Sequence, residues 1–243
     1  MIAVLLAGGI VKGVIGFGLP MFTIPLLTVV IAPREAVVMM SLSIIFTNVA
    51  NVRLGISEWR ELRHVVPYLG AAVLMIPVGV LFLHRGDPEL IRFLIGLSVY
   101  GYLATRRFVP PMGALRPRAR WGVGAGLGVA AGFLGGMSSI PGPVSIIYFS
   151  MFSFTKEVFV FLVNAFNTVS ISVLAGALAF QGAYTPPALL QAVAALAPVL
   201  AGFWVGVRMR DRLSQELFFR MVSVGLFAIA TGLILRASWL LFF

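Results

Sequence analysis

Eight apolar runs separated by short loops leave this chain few folds to choose from. They cover residues 2–32, 36–52, 65–83, 90–104, 121–152, 158–180, 188–207 and 217–235. Six of them approach the roughly 20 residues that a helix needs to cross a hydrocarbon core of about 30 Å. In lipid every backbone N–H and C=O must be satisfied within the segment, and a helix does this. With 60% hydrophobic and 11% charged residues over 243 positions, the chain holds more apolar surface than a soluble domain of this size could bury. The expected class is all-α, a polytopic helical membrane protein with the lipid bilayer as its first partner.

The two runs of about 30 residues are built differently. Gly8–Leu27, GGIVKGVIGFGLPMFTIPLL, carries five glycines, two prolines and a lysine, so it reads as two half-helices with a break near Gly16 to Pro20. Trp121–Phe152 is interrupted by SSIPGP at Ser138–Pro143. Each arm of the first run counts about 13 to 15 residues, some 20 Å at 1.5 Å per residue and too short to cross. Both runs are therefore expected to be broken re-entrant hairpins. Backbone freed at such a break is tolerated where it lines a cavity, and it often marks a binding site.

The pattern is duplicated. At an offset of 123, Gly9, Gly13 and Pro20 fall on Gly132, Gly136 and Pro143; at 127, Gly55, Gly79 and Glu89 fall on Gly182, Gly206 and Glu216. Residues 1–105 are thus read as a first repeat and 121–243 as a second, each a hairpin plus three full transmembrane helices. The stretch 106–120, RRFVPPMGALRPRAR, is the linker, with five arginines and three prolines. Placing it in the cytoplasm puts 13 of the 18 Lys and Arg on that side, as the positive-inside rule expects. Both termini then lie outside the cell inner membrane, and three spans per half make the repeats inverted. Gly79 and Gly206, at matching positions, are hinge candidates. The formal charge of +10 sits in these loops, so no nucleic-acid partner is expected. Met1–Gly9 has no basic stretch ahead of its apolar run and does not read as a cleaved signal peptide.

Candidate binding residues follow from polarity inside the apolar runs. Lys12 stands within the first hairpin, where a charge costs a few kcal/mol unless paired or hydrated. No Asp or Glu lies inside an expected span, which leaves a substrate anion or hairpin-tip carbonyls as its partner, or an escape to the interface by snorkelling. At the breaks, Gly16, Phe17, Gly18 and Gly142 allow close backbone approach. The second arms start near Leu19 and Pro143, aiming helix N-termini at the cavity. Ser138 and Ser139 add hydroxyls, either for a ligand or for their own backbone. Asn48 with Asn51, and Asn164 with Asn167, each share a helix face and offer neutral amides, for an oxyanion or for helix–helix bonding. Counted from the Arg34-Glu35 and Lys156-Glu157 junctions, the two pairs are six residues out of register.

Other chemistries find no support. There is no cysteine, and the two histidines, His64 and His84, lie at opposite ends of the third run, so neither is expected to be the base that Ser138 or Ser139 would need as a nucleophile. No metal cluster, nucleotide motif or cofactor site is seen, so neither an enzyme nor an ATP-driven pump is expected.

The glycine series Gly9, Gly13, Gly16 and Gly18 followed by Pro20, the GFLGG of residues 132–136 followed by Gly142-Pro143, the GISEWR of Gly55–Arg60 and the basic central linker together resemble the TauE/SafE family of sulfite exporters over essentially the whole chain. Lys12, Pro20 and Ser138-Ser139 depart from its usual pattern. The resemblance implies a carrier for a small anionic substrate such as sulfite, sulfoacetate, another organosulfonate or thiosulfate. An anion channel of similar selectivity and a non-transport subunit of a membrane complex are the alternatives.

Overall fold

The structure is a computed structural model and describes residues 1–54, 56–105, 112–114, 116–209 and 215–242. Gly55, part of the central linker (106–111 and 115), the basic loop at 210–214 and Phe243 lie outside the described residues. Ten α-helices are described: α1 (Ile2–Ile15), α2 (Leu19–Thr28), α3 (Pro33–Leu54), α4 (Val66–Arg85), α5 (Pro88–Thr105), α6 (Pro117–Ser138), α7 (Gly142–Ser150), α8 (Lys156–Phe180), α9 (Pro186–Met209) and α10 (Gln215–Phe242). A 3-10 segment, Ile56–Val65, leads into α4. The chain is a polytopic helical membrane protein; among the described residues five helices (α3, α4, α6, α8 and α9) are long and apolar enough to cross a bilayer.

Proline sets most of the helix starts. It occupies the first or second position of α2, α4, α6 and α7 and opens α3, α5 and α9, where a missing N–H costs nothing and φ is already helical. Asp87 caps α5, its Oδ1 accepting the N–H groups of Glu89 and Leu90 at 2.7 and 3.1 Å. The break in the first hairpin falls at Gly16–Gly18, with Gly16 at φ 90° and Gly18 at φ 92°, a conformation that costs a residue with a Cβ about 1–2 kcal/mol. In the second hairpin Ser139 takes this role at φ 57°.

The arms of the second hairpin are unequal. Its first arm, α6, has 22 residues and starts inside the basic linker, because arginine is a good helix former and a helix protruding into water needs no apolar face. Its second arm, α7, has only 9. Arg120 and Trp121 at the start of α6 line the same cavity as Tyr148, Met151 and Phe152 around the end of α7, so the two ends of this hairpin lie side by side.

Helix packing exchanges pieces between the halves. The two most extensive contacts put α1 against α9 and α6 against α4. α3 lies against α8, and α5 against α10. Glycines make both principal crossings close. A Cβ on Gly13 would fall 2.3 Å from the Phe203 carbonyl oxygen and 2.8 Å from the Gly206 Cα, and one on Gly136 would fall 2.1 Å from the Ile76 oxygen and 3.0 Å from the Gly79 Cα. Gly79 and Gly206 are thus contact points between helix backbones. Large apolar side chains such as Leu74, Phe180, Leu190 and Leu235 face outward, as lipid allows.

Candidate functional site

Lys12 lies in the last turn of α1 and is fully buried. Its Nζ donates to Asn48 Oδ1 on α3 at 2.5 Å and to Asn164 Oδ1 on α8 at 2.6 Å. The ammonium therefore does not snorkel, and two side-chain amide oxygens are among its partners. Its place is electrostatically sound, since the end of α1 carries the negative end of the helix dipole.

The break next to Lys12 is held by Asn164 again, together with Asn51. The Gly16 carbonyl, freed where α1 ends, accepts from Asn51 Nδ2 and Asn164 Nδ2, both at 2.9 Å. Asn164 Nδ2 is shared with Val160 O at 2.7 Å. A carbonyl that would be costly in lipid is satisfied twice over. Asn48, Asn51 and Asn164 thus gather around one lysine although their pairs are out of register in the sequence. Asn48 Nδ2 is buried with no partner among the described residues, which leaves an unmet donor beside an ammonium.

The remaining candidates separate into three groups. Phe17 packs edge to face on Phe159, ring centres 5.9 Å apart. Gly18 begins α2 with open space where a Cβ would stand, and Gly142 has the same freedom at the start of α7. Ser138 is committed to the backbone, its Oγ donating to Leu134 O at 2.7 Å and accepting from Ile140 N at 3.3 Å. Ser139 and Asn167 meet at a separate small cavity of about 10 Å³, beside Pro20, Ile44, Gly135 and Ser170. Ser170 is absent from the sequence-based candidates. It lies three residues after Asn167, so the polar face of α8 carried the signal one turn further than it was followed.

Two larger cavities flank these residues. One, of about 540 Å³, is lined by Arg63, His64, Arg120, Trp121, Tyr148 and Ser153 among others; the second, of about 440 Å³, by Arg34, Glu35, Gly182, Thr185 and Gln191 among others. Ser153 precedes α8 and Gly182 follows it, so the cavities open at opposite ends of a helix about 37 Å long. Asn164 and Asn167 lie between. Basic side chains at one mouth and a buried ammonium further in give an anion a favourable potential on its way inward.

The chain matches the family model described as sulfite exporter TauE/SafE over residues 1–233. No curated protein and no solved structure matches it.

Proposed function

Because the chain belongs to the sulfite exporter TauE/SafE family, whose members are membrane transporters, we propose that it carries sulfite or a small organosulfonate such as sulfoacetate out across the cytoplasmic membrane by alternating access. The observation that carries this reading is Lys12 buried at a helix break with the unpartnered Asn48 Nδ2 beside it. An oxyanion placed there accepts from Asn48 Nδ2 and draws on the Lys12 charge, while the adjacent N-terminus of α2 adds its positive dipole end. The amides of Asn51 and Asn164 hold Gly16 and so fix the geometry of the break. They position the site without adding charge.

The alternating halves are the two inverted repeats. Support comes from the reciprocal packing of α1 on α9 and α6 on α4, with Gly13 against Gly206 and Gly136 against Gly79 at equivalent points. Crossings without intervening side chains are smooth enough for one helix pair to rock on the other. In this scheme the 540 Å³ cavity with Arg63, His64 and Arg120 is the cytoplasmic vestibule, the 440 Å³ cavity is the outer one, and both termini are outside.

The test is counterflow in proteoliposomes preloaded with sulfite, sulfoacetate, thiosulfate or sulfate. Saturable exchange of one of these, lost in Lys12→Gln with folding retained, is the expected outcome. Normal exchange by Lys12→Gln would remove the lysine from the binding site; flux without counterflow would replace the carrier with a channel.

A further inference from the structure

The cavity beside Asn167 does not suit the anion. A volume of about 10 Å³ admits one water-sized particle, near the lower limit for a water site, whereas a sulfur atom with three oxygens is several times larger. Yet its walls carry unmet polarity. Ser139 Oγ, Asn167 Oδ1 and Ser170 Oγ are all buried with no partner among the described residues, on residues only 5, 6 and 5% exposed. Such groups in the membrane interior are costly unless something satisfies them.

We infer that Ser139, Asn167 and Ser170 form a binding site for a small monovalent cation of the size of sodium. The three atoms are hard oxygen donors, and the amide oxygen can only accept. The cavity sits at the C-terminal end of α6, where Gly135 and the cap residue Ser139 line it and the helix dipole is negative. A broken helix presenting its C-terminal end is the arrangement that holds coupling cations in membrane carriers. No carboxylate lines the cavity, so a divalent ion would find no compensating charge. Potassium, larger and wanting more oxygens, fits the space less well.

The site has a consequence for the transport reading and, for this part, rests on it. Asn167 follows Asn164, a Lys12 partner, by about 4.5 Å along α8. A cation there and the Lys12 ammonium repel across a short distance, and an anion bound beside Lys12 relieves the repulsion. Cation and anion thus raise each other's affinity by the same factor.

The experiment is thermal unfolding of the full chain in detergent, in sodium, potassium or choline chloride at matched ionic strength. The expected result is a saturable rise in the midpoint specific to sodium. Ser170→Ala and Ser139→Gly should shift half-saturation to sodium concentrations about tenfold higher or more. Glycine accepts the left-handed backbone at 139, so that variant folds without strain. Equal midpoints in all three salts would overturn the site and leave a water there. A full sodium response in both variants would overturn it as well. Sulfite added in sodium then separates the two readings: a lower half-saturating sodium supports the coupling, and an unchanged one leaves the cation site standing while the coupling falls.

Discussion

Adding one methyl group to α6 should change stability in opposite directions at two positions ten residues apart. At Gly136 a Cβ would lie 2.1 Å from the Ile76 carbonyl oxygen and 3.0 Å from the Gly79 Cα. Ordinary contact begins near 3.4 Å, so α4 and α6 must separate by about 1 Å. Both obstacles are backbone, and no side chain can swing away. Overpacking of this kind costs about 1–3 kcal/mol, and here the upper end applies; the gain in helix propensity from glycine to alanine returns about 1. Gly136→Ala is therefore expected to lose about 2 kcal/mol. Gly126 on the same helix has nothing within 4 Å of its Cβ position, and Gly126→Ala should gain about 1 kcal/mol. For a chain of this length the gap of about 3 kcal/mol corresponds to some 6–12 °C between the two unfolding midpoints. Gly13→Ala, at the equivalent crossing of α1 on α9, should behave like Gly136→Ala. Thermal unfolding in one detergent measures all three, and midpoints that agree between Gly136→Ala and Gly126→Ala would refute the close crossing.

Three further outcomes are expected. Asn48→Asp keeps the side-chain shape but gives Lys12 a carboxylate and removes the Nδ2 donor, so the apparent affinity for the exchanged anion in counterflow should fall at least about tenfold while the protein stays folded. Arg92 is 8% exposed, donates to Thr28 O at 2.9 Å and pairs with Glu89. Arg92→Met leaves that carboxylate uncompensated and should cost about 3 kcal/mol in denaturant unfolding. Arg120→Gln at the basic vestibule should raise KM about two- to threefold without altering kcat, the worth of a unit charge about 8 Å away in a water-like dielectric. The effect should vanish at high ionic strength.

What could be read from the sequence was local. The breaks at Gly16–Gly18 and Ser139–Pro141 follow from positive φ and missing donors, which single residues announce. The starts of the second arms, near Leu19 and Pro143, were legible for the same reason. The length of α6 was not, because counting apolar residues from Trp121 ignores that a helix continues into water through Pro117–Arg120. The partners of Lys12 were not legible either. Charge arithmetic says that a buried ammonium needs oxygens, but which ones depends on how α1, α3 and α8 meet, and Asn48 and Asn164 are 36 and 152 residues away in the chain. The register offset between the asparagine pairs counted against their convergence. It misled because Lys12 sits to one side of any symmetry between the halves, opposite a glycine, Gly135, at the 123-residue offset.

The distance between Lys12 and Asn164 is also a distance in time. A ribosome adding 5 to 20 residues per second delivers Asn164 roughly eight to thirty seconds after Lys12, and α9, on which α1 rests, later still. Over that interval the nascent α1 has neither its amide from α8 nor its neighbour. The insertion machinery must shelter it, or it must wait at the water interface and slide inward when the second half arrives. Truncation after the central linker should therefore strand the first hairpin outside its final depth, and the two halves are obligate companions during biogenesis.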